Sequence, residues 1–466
     1  MIRASSGAAA LALSTFLLST AAFAQPMTLD EALGLAYETN PQLAAQQAAL
    51  RATDEQVAQA NAGYRPTVNA QGSYGVERFG FTPFNPLAPL PGPTIANASE
   101  HPVQGQLTVT EPIFRGGRTY AEVRRAKALV RAGRAQLTNV EQSVLVSAIT
   151  AYMDVVRDTA ILTLRQSNVQ VLAKQRDATK IQFDAGALTR TDVAQSEARL
   201  AGAQSDLTSA QGQLAVSRAN FVQAIGRPAE TLVSDPNLPQ LPGTEDDLRA
   251  TAMKQNPVIV SAVESDRAAS FAIDDSYGAL LPQVSVQGQY FYQHGSLTNS
   301  IGGVGSTDHG VAVLGLLNVP IYQGGADQAA VRQAQQLRDQ SRHNVEVANR
   351  EVEDQVTSAW QTFQSAEATI QSNEATEKAD EIAFQGVSKE QQVGGRTILD
   401  VLNAQQELLN AEVAVVTAKR NTVVAAYQVL VAEGALTAKS LGLKVKLYDP
   451  QEHYEDDESR WIGLGD

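Results

Sequence analysis

The 466-residue sequence contains no cysteine. That excludes a disulfide framework, thiolate zinc sites, thiol catalysis and a lipid-modified N-terminal cysteine. Basic residues are scarce: 36 Lys and Arg stand against 50 Asp and Glu, a net charge of −14. This excludes nucleic acid as the main partner, since phosphate backbones are held by basic patches. Long apolar runs are missing too. Past the N-terminus the longest is Val311 to Leu317, well short of the roughly 18 residues of a spanning helix. The five histidines (His101, His294, His309, His343 and His453) are scattered, with no paired metal-binding spacing. There is no nucleophile elbow or triad signature. Gly302-Gly303-Val304-Gly305 lacks the strand and helix around a nucleotide loop and reads as an outer turn. The sequence therefore predicts no enzyme, no cofactor and no metal.

What is present begins with an export signal. Arg3 supplies a positive start, Ala8 to Leu18 an apolar stretch, and Ala22-Phe23-Ala24 a cleavage pattern, so the mature chain is expected to begin at Gln25.

The remainder is a duplicated unit. Thr28, Asn40-Pro41 and Pro66 recur 216 residues later as Thr244, Asn256-Pro257 and Pro282. Pro112-Ile113, Gly116-Gly117, Gly186, Thr189 and Asp192 recur 208 later as Pro320-Ile321, Gly324-Gly325, Gly394, Thr397 and Asp400. The offset drops between Pro66 and Pro112, where only the first copy is proline-rich (Pro83, Pro86, Pro89, Pro91, Pro93). An ordered series at two constant offsets is the mark of an internal repeat.

Proline placement outlines the architecture. Residues 113–227 and 321–449 contain none. Proline costs about 3 kcal/mol inside a helix, so these runs predict long helices. Each is broken once by a glycine-centred turn, Asp184-Ala-Gly-Ala-Leu188 and Gln392-Val-Gly-Gly-Arg396. Each is then a helical hairpin with one arm of about 95 Å at 1.5 Å per residue. Apolar positions fall seven apart at Val193, Leu200, Leu207, Leu214 and Phe221, and at Val401, Leu408, Val415, Thr422 and Val429. Val123, Val130, Leu137, Val144 and Ala151 do the same, with small Ala126, Gly133 and Ser147 between. This period suits supercoiled helices, and a plain bundle shares it.

Before each hairpin the period changes to two. Val284, Val286, Gly288, Tyr290 and Tyr292 alternate with Gln283, Ser285, Gln287, Gln289, Phe291 and Gln293. Thr67 to Glu77 and Gln104 to Thr110 alternate likewise, and Val311 to Val319 is apolar on both faces. Such strands fit a membrane barrel with a wet interior or one face of a soluble sandwich. Residues 64–120 and 277–322 hold 12 of the 26 aromatics, a clustering expected at membrane interfaces. Four strands cannot close a barrel, and open edges in lipid leave backbone groups unsatisfied, so other copies of the chain must complete it.

With a leader, two copies of helix–strand–strand–long helix–tip–short helix and an incomplete barrel, the chain resembles the TolC family of outer-membrane efflux proteins. The resemblance covers about 28–435. It rests on Asn40-Pro41 and Asn256-Pro257, on Pro112-Ile113-Phe114-Arg115-Gly116-Gly117 and Pro320-Ile321-Tyr322-Gln323-Gly324-Gly325, and on the two tips. It implies a mixed α/β membrane protein in which three chains form a 12-stranded outer-membrane β-barrel, continued by a periplasmic α-helical barrel of coiled-coil helices. The expected organisation is an export segment (1–24), a first repeat (25–227), a linker in an equatorial subdomain (228–243), a second repeat (244–436) and an acidic, solvated C-terminal tail (437–466). Strands are expected at about 67–81, 103–114, 283–294 and 310–320. The hairpins are expected at about 119–225 and 327–433, with tips at 184–190 and 391–397.

The resemblance also assigns partners and sites. An inner-membrane transporter, ABC-type or proton-driven, and a periplasmic adaptor would dock at the tips, where Gly186, Ala187, Gly394 and Gly395 would receive the adaptor. On the residues alone, Asp192 and Asp400 are N3 acids capping a helix start. By resemblance they ring a narrow periplasmic mouth, with Arg396 in the network that shuts it. Asn403 stands where a second acid is often found, and Gln391 where a gating tyrosine can sit. The implied function is a passive exit duct for type I protein secretion or drug efflux. The absence of a lipidated cysteine leans toward the branch without a lipid anchor. The alternative is a soluble periplasmic coiled-coil adaptor or scaffold, which accounts for the hairpins but not for the strands.

Overall fold

The computed structural model describes residues 26–81, 96–295, 307–458 and 460–463. The export signal, the proline-rich 82–95 and the glycine-rich 296–306 lie outside the described residues. In chain order the elements are α1 (Leu29–Thr39), α2 (Pro41–Asn61), β1 (Thr67–Tyr74), β2 (Glu77–Phe81), β3 (Ala96–Glu100), β4 (Val103–Arg115), α3 (Arg118–Asp184) and α4 (Arg190–Ile225). There follow α5 (Glu245–Gln255), α6 (Pro257–Gly278), β5 (Gln283–His294), β6 (Thr307–Asn318), α7 (Ala326–Gln392), α8 (Ile398–Glu433) and α9 (Glu452–Glu458).

The duplication is visible residue for residue. The long arms α3 and α7 each have 67 residues, and their partners α4 and α8 each have 36. At 1.5 Å per residue a long arm spans about 100 Å. Each begins at a glycine pair in left-handed conformation, Gly116-Gly117 and Gly324-Gly325. Consecutive positive φ values reverse the chain from strand to helix, and a residue with a Cβ adopts them only with strain.

The heptad positions of the short arms mostly face inward. Leu200, Leu214 and Phe221 are buried in α4, and Val401, Val415, Thr422 and Val429 in α8. In α3, Val130, Leu137, Val144 and Ala151 are buried with Ala126, whereas Ser147 is exposed. The two long arms differ in cover. α3 is packed by α1, α2, α4, α6 and α8, whereas among the described residues α7 packs chiefly on α5, α6 and α8. Beyond Ala359, α7 buries no residue at all.

The Asn-Pro pairs join helices end to end. Asn256 Oδ1 accepts from Val258 N at 3.0 Å and caps α6, while its Nδ2 donates to Ala432 O at 3.0 Å in the last turn of α8. One side chain thus satisfies both an orphan donor and an orphan acceptor. The following proline costs nothing at the first helical position, where its N–H would be unpaired anyway. Asn40 repeats this, with Oδ1 2.8 Å from Gln42 N and Nδ2 3.4 Å from Ala224 O. Thr39 Oγ1 adds a bond to Ile225 O at 3.1 Å.

The four-stranded sheet runs β1-β4-β5-β6, antiparallel throughout. Its register brings the alternating faces into line. Ala70, Leu107, Tyr290 and Val311 form one row across the sheet, and Val68, Val109, Gly288 and Val313 the next. The opposite face carries Gln71, Gln106, Phe291 and Gly310, then Asn69, Thr108, Gln289 and Ala312. Phe291, the odd aromatic of that face, lies over Gly310, where a Cβ would meet its ring at 2.7 Å.

Three expectations are corrected. The strand expected at 67–81 breaks after Tyr74: β2 leaves the sheet and pairs with β3 instead. The last strand ends at Asn318 rather than 320, since Pro320 has no N–H to continue a ladder. The tail is not a solvated extension. Its helix α9 packs on α2, Asp457 is buried, and Lys127 Nζ lies 2.6 Å from Glu458 Oε1.

The joints predict a graded loss. Asn256 is buried and Asn40 only half-buried. Replacing Asn256 with alanine removes a cap and a buried hydrogen bond, about 2 kcal/mol together. Asn40→Ala should cost about 1 kcal/mol. Denaturant unfolding of the detergent-solubilised protein measures both, and equal losses would contradict the ranking.

Candidate functional site: the helical tips

Each hairpin turns through the same hydrogen-bond pattern. In the first copy Gly186 N donates to Phe183 O at 2.9 Å and Ala187 N to Gln182 O at 2.9 Å. In the second, Gly394 N donates to Gln391 O at 3.0 Å and Gly395 N to Glu390 O at 2.8 Å. These bonds satisfy the last carbonyls of α3 and α7. Gly186 (φ 75°) and Gly394 (φ 81°) take the left-handed position this requires. A Cβ on either would meet nothing within 4 Å, so backbone conformation, not crowding, favours glycine there. Gly395 has an ordinary φ, and a Cβ would stand 3.4 Å from Glu390 O. Ala187, Gly394 and Gly395 are all exposed.

The short arms then restart with reciprocal caps. Asp192 Oδ2 accepts from Thr189 N at 2.9 Å and from Thr189 Oγ1 at 2.7 Å. Asp400 Oδ2 accepts from Thr397 N at 2.9 Å and Thr397 Oγ1 at 2.8 Å. The Thr-x-x-Asp spacing made both caps legible in the sequence. These contacts hold both carboxyls below the ordinary range. The Thr189 hydroxyl leads for Asp192 and the Thr397 backbone N–H for Asp400, whose carboxyl is lowered further by the charge of Arg396.

Arg396 is placed less directly than its motif suggests. Its Nε lies 2.9 Å from Glu390 Oε2, an exposed pair across the turn. That bond leads in raising the pKa of the guanidinium, with the charges of Glu390 and Asp400 behind it. Asn403 Oδ1 accepts from Arg199 Nη2 at 2.8 Å, linking α8 of the second copy to α4 of the first. Gln391 sits half-buried in the last turn of α7, where its carbonyl serves the turn.

Glu390 and Arg199 escaped sequence reasoning, because neither stands at a helical spacing from its partner. The buried contacts that set the tips side by side were equally hidden. Ile398 and Leu402 of α8 pack with Leu172 of α3 and with Leu200 and Ala203 of α4. Just beyond them Gln405 Nε2 donates to Asn168 Oδ1 at 2.7 Å, a buried polar bond between the repeats. The arrangement holds acids, amides and small residues at an exposed turn. Nothing in it resembles a catalytic set, and among the described residues no helix is long and apolar enough to cross a membrane.

Comparison with known proteins agrees with this geometry. The family model described as "Outer membrane efflux protein" matches residues 32–227 and 248–435. The chain is 34% identical over 460 residues to the outer membrane efflux protein BepC of Brucella suis, covering 98% of this chain and 96% of that protein. It is 23% identical over 437 residues to the outer membrane protein TolC of Vibrio cholerae, covering 92% and 96%. Its fold is similar to the crystal structure of the CmeC outer membrane channel of Campylobacter jejuni, with a TM-score of 0.75, 17% identity and coverage of 92% and 89%. The two matched segments fall on the two copies of the repeat, and the chain belongs to the outer membrane efflux protein family.

Proposed function

We propose that three copies of this outer membrane efflux protein close into one passive exit duct. One observation carries the reading: a four-stranded sheet with one apolar face, an opposite face that is mainly polar along β1, β4 and β5, and two outer edges, on β1 and β6, that no described strand covers. The apolar side chains are laid bare, Val311 at 77% and Val313 at 72%. Such a face suits hydrocarbon, and its edges must pair with those of neighbouring copies. Exposed aromatics flank it at two levels. Tyr64, Phe114, Tyr277 and Tyr322 stand toward the helices, and Tyr74, Tyr290 and Tyr292 toward the far end. Along β5, Val284 and Tyr292 are separated by about 27 Å at 3.4 Å per residue, close to the apolar band of an outer-membrane barrel.

The polar face then lines the water-filled path, which continues through the helical arms. The protein performs no chemistry. Cargo is delivered by an inner-membrane transporter through a periplasmic adaptor, in type I protein secretion or drug efflux. Asp192, Asp400, Arg396, Asn403 and Gln391 form the periplasmic constriction. Gly186, Ala187, Gly394 and Gly395 receive the adaptor, their small side chains leaving the turn open to close approach. The uncovered face of α7 is the natural contact with the next protomer.

Native mass spectrometry of the detergent-extracted protein should give a species of three chains, and a stable monomer would exclude the duct. Asp192→Asn and Asp400→Asn keep an acceptor for each cap and remove charge, so cation selectivity in planar bilayers should fall in each and furthest in the double variant. In the native channel both carboxyls are lowered, so they remain ionised at and above the ordinary value of about 3.9. Selectivity and the caps should hold from pH 8 to pH 5 and fade only as pH drops through the lowered values. Finally, Gly395→Trp and Ala187→Trp should abolish export while conductance and trimer mass stay unchanged. Undiminished export in both would move the adaptor away from the turns.

A further inference from the structure

The C-terminal segment carries a cluster that the duct does not use. Against α2, helix α9 brings His453 and Asp457, one turn apart, onto Asp54 and Glu55. One ligand atom from each of Glu55, His453 and Asp457 lies within 4.8 Å of the other two. His453 Nε2 is 3.0 Å from Asp457 Oδ2, and its Nδ1 is 3.6 Å from Asp54 Oδ2. Asp54 is only 1% exposed, and among the described residues neither of its oxygens accepts a hydrogen bond. A buried carboxylate left in that state is costly, and this one is aimed at the imidazole.

We propose that Glu55, His453 and Asp457 form a divalent-cation site, matched to zinc, which fastens the C-terminal segment to α2, with Asp54 as the positioning residue for His453. An imidazole and two carboxylates are an ordinary zinc donor set. Tetrahedral bonds of about 2.0–2.2 Å place ligand atoms about 3.3–3.6 Å apart, so the three atoms, now within 4.8 Å of one another, draw together by side-chain rotation to complete the site. A metal on Nε2 leaves the proton on Nδ1, and a carboxylate beyond that nitrogen is the usual support of a histidine ligand. Asp54 stands there. Arg460 Nη1 lies 3.0 Å from Asp457 Oδ1, which leaves Oδ2 for the cation. Three carboxylates at this spot face the charges of Arg460 and Arg134, so a divalent ion also relieves an acidic excess. The histidine spacing in the sequence gave no such hint, because Glu55 and His453 come from opposite ends of the chain.

The test uses the full-length protein in detergent, stripped with chelator and dialysed against zinc, with bound metal counted by mass spectrometry. One zinc per chain is expected. His453→Ala and Glu55→Gln should weaken binding at least tenfold, and Asp54→Asn about 10–100-fold, the usual effect of removing such a support. Asp54→Asn also removes a buried charge, so it should fold at least as stably as the native chain without metal, which separates lost ligation from lost structure. Zinc should slow proteolysis of the C-terminal segment in the native protein and not in His453→Ala. Zinc retained equally by all variants, or by none including the native chain, overturns the site.

Discussion

A sheet edge in hydrocarbon has no solvent to satisfy its N–H and C=O groups, and most of this molecule follows from that constraint. Each chain offers only four strands in register, with β1 and β6 at the margins. Alternation along β1, β4 and β5 sorts valine, leucine and tyrosine to one side and, apart from Phe291, mainly glutamine, asparagine and threonine to the other, while β6 is apolar on both sides. A chain built this way is unfinished by itself. Completion by identical copies, as proposed, would also account for the little that α7 buries beyond Ala359. In that assembly the symmetry that closes the sheet would cover the helix as well.

The helical part solves a different problem, that of continuing a path for about 100 Å without a long loop. The Asn-Pro joints serve it by letting two helices meet head to tail with their terminal groups paired through one amide. The equatorial region locks the joints in place. Tyr152 is buried against Phe221, and its hydroxyl lies 2.9 Å from both Met27 O and Val233 O. Burial pushes that phenol up to about 12. The linker between the repeats is thereby tied to the start of the first one, and Met27 and Leu232 form a parallel bridge.

Much of this was legible in the sequence because it rests on periodicity and punctuation. Proline-free runs, glycine pairs and Thr-x-x-Asp caps each have a local physical cause, so they can be read without knowing what lies nearby. The sheet faces were legible for the same reason. What could not be read depends on which distant residue arrives. Alternation continues through Val76, yet β2 has changed partner, and nothing in a period of two records a partner. Acidic composition suggested a solvated tail, whereas Asp457 meets His453 and Arg460 in a packed contact. At the tips the caps were legible, but Glu390 as the direct partner of Arg396, and Asn168 with Gln405, were set by the meeting of helices.

The equal lengths of α3 and α7, and of α4 and α8, carry an evolutionary consequence. Each residue inserted in a long arm lengthens it by about 1.5 Å and turns its outward face by about 100°. An insertion in one copy alone would leave one tip proud of the other and rotate its caps away from their neighbours. The molecule can therefore change the reach of its helical arms only by paired, heptad-sized steps taken in both halves at once. A duplicated gene product acts here as a ruler whose two scales must be recut together.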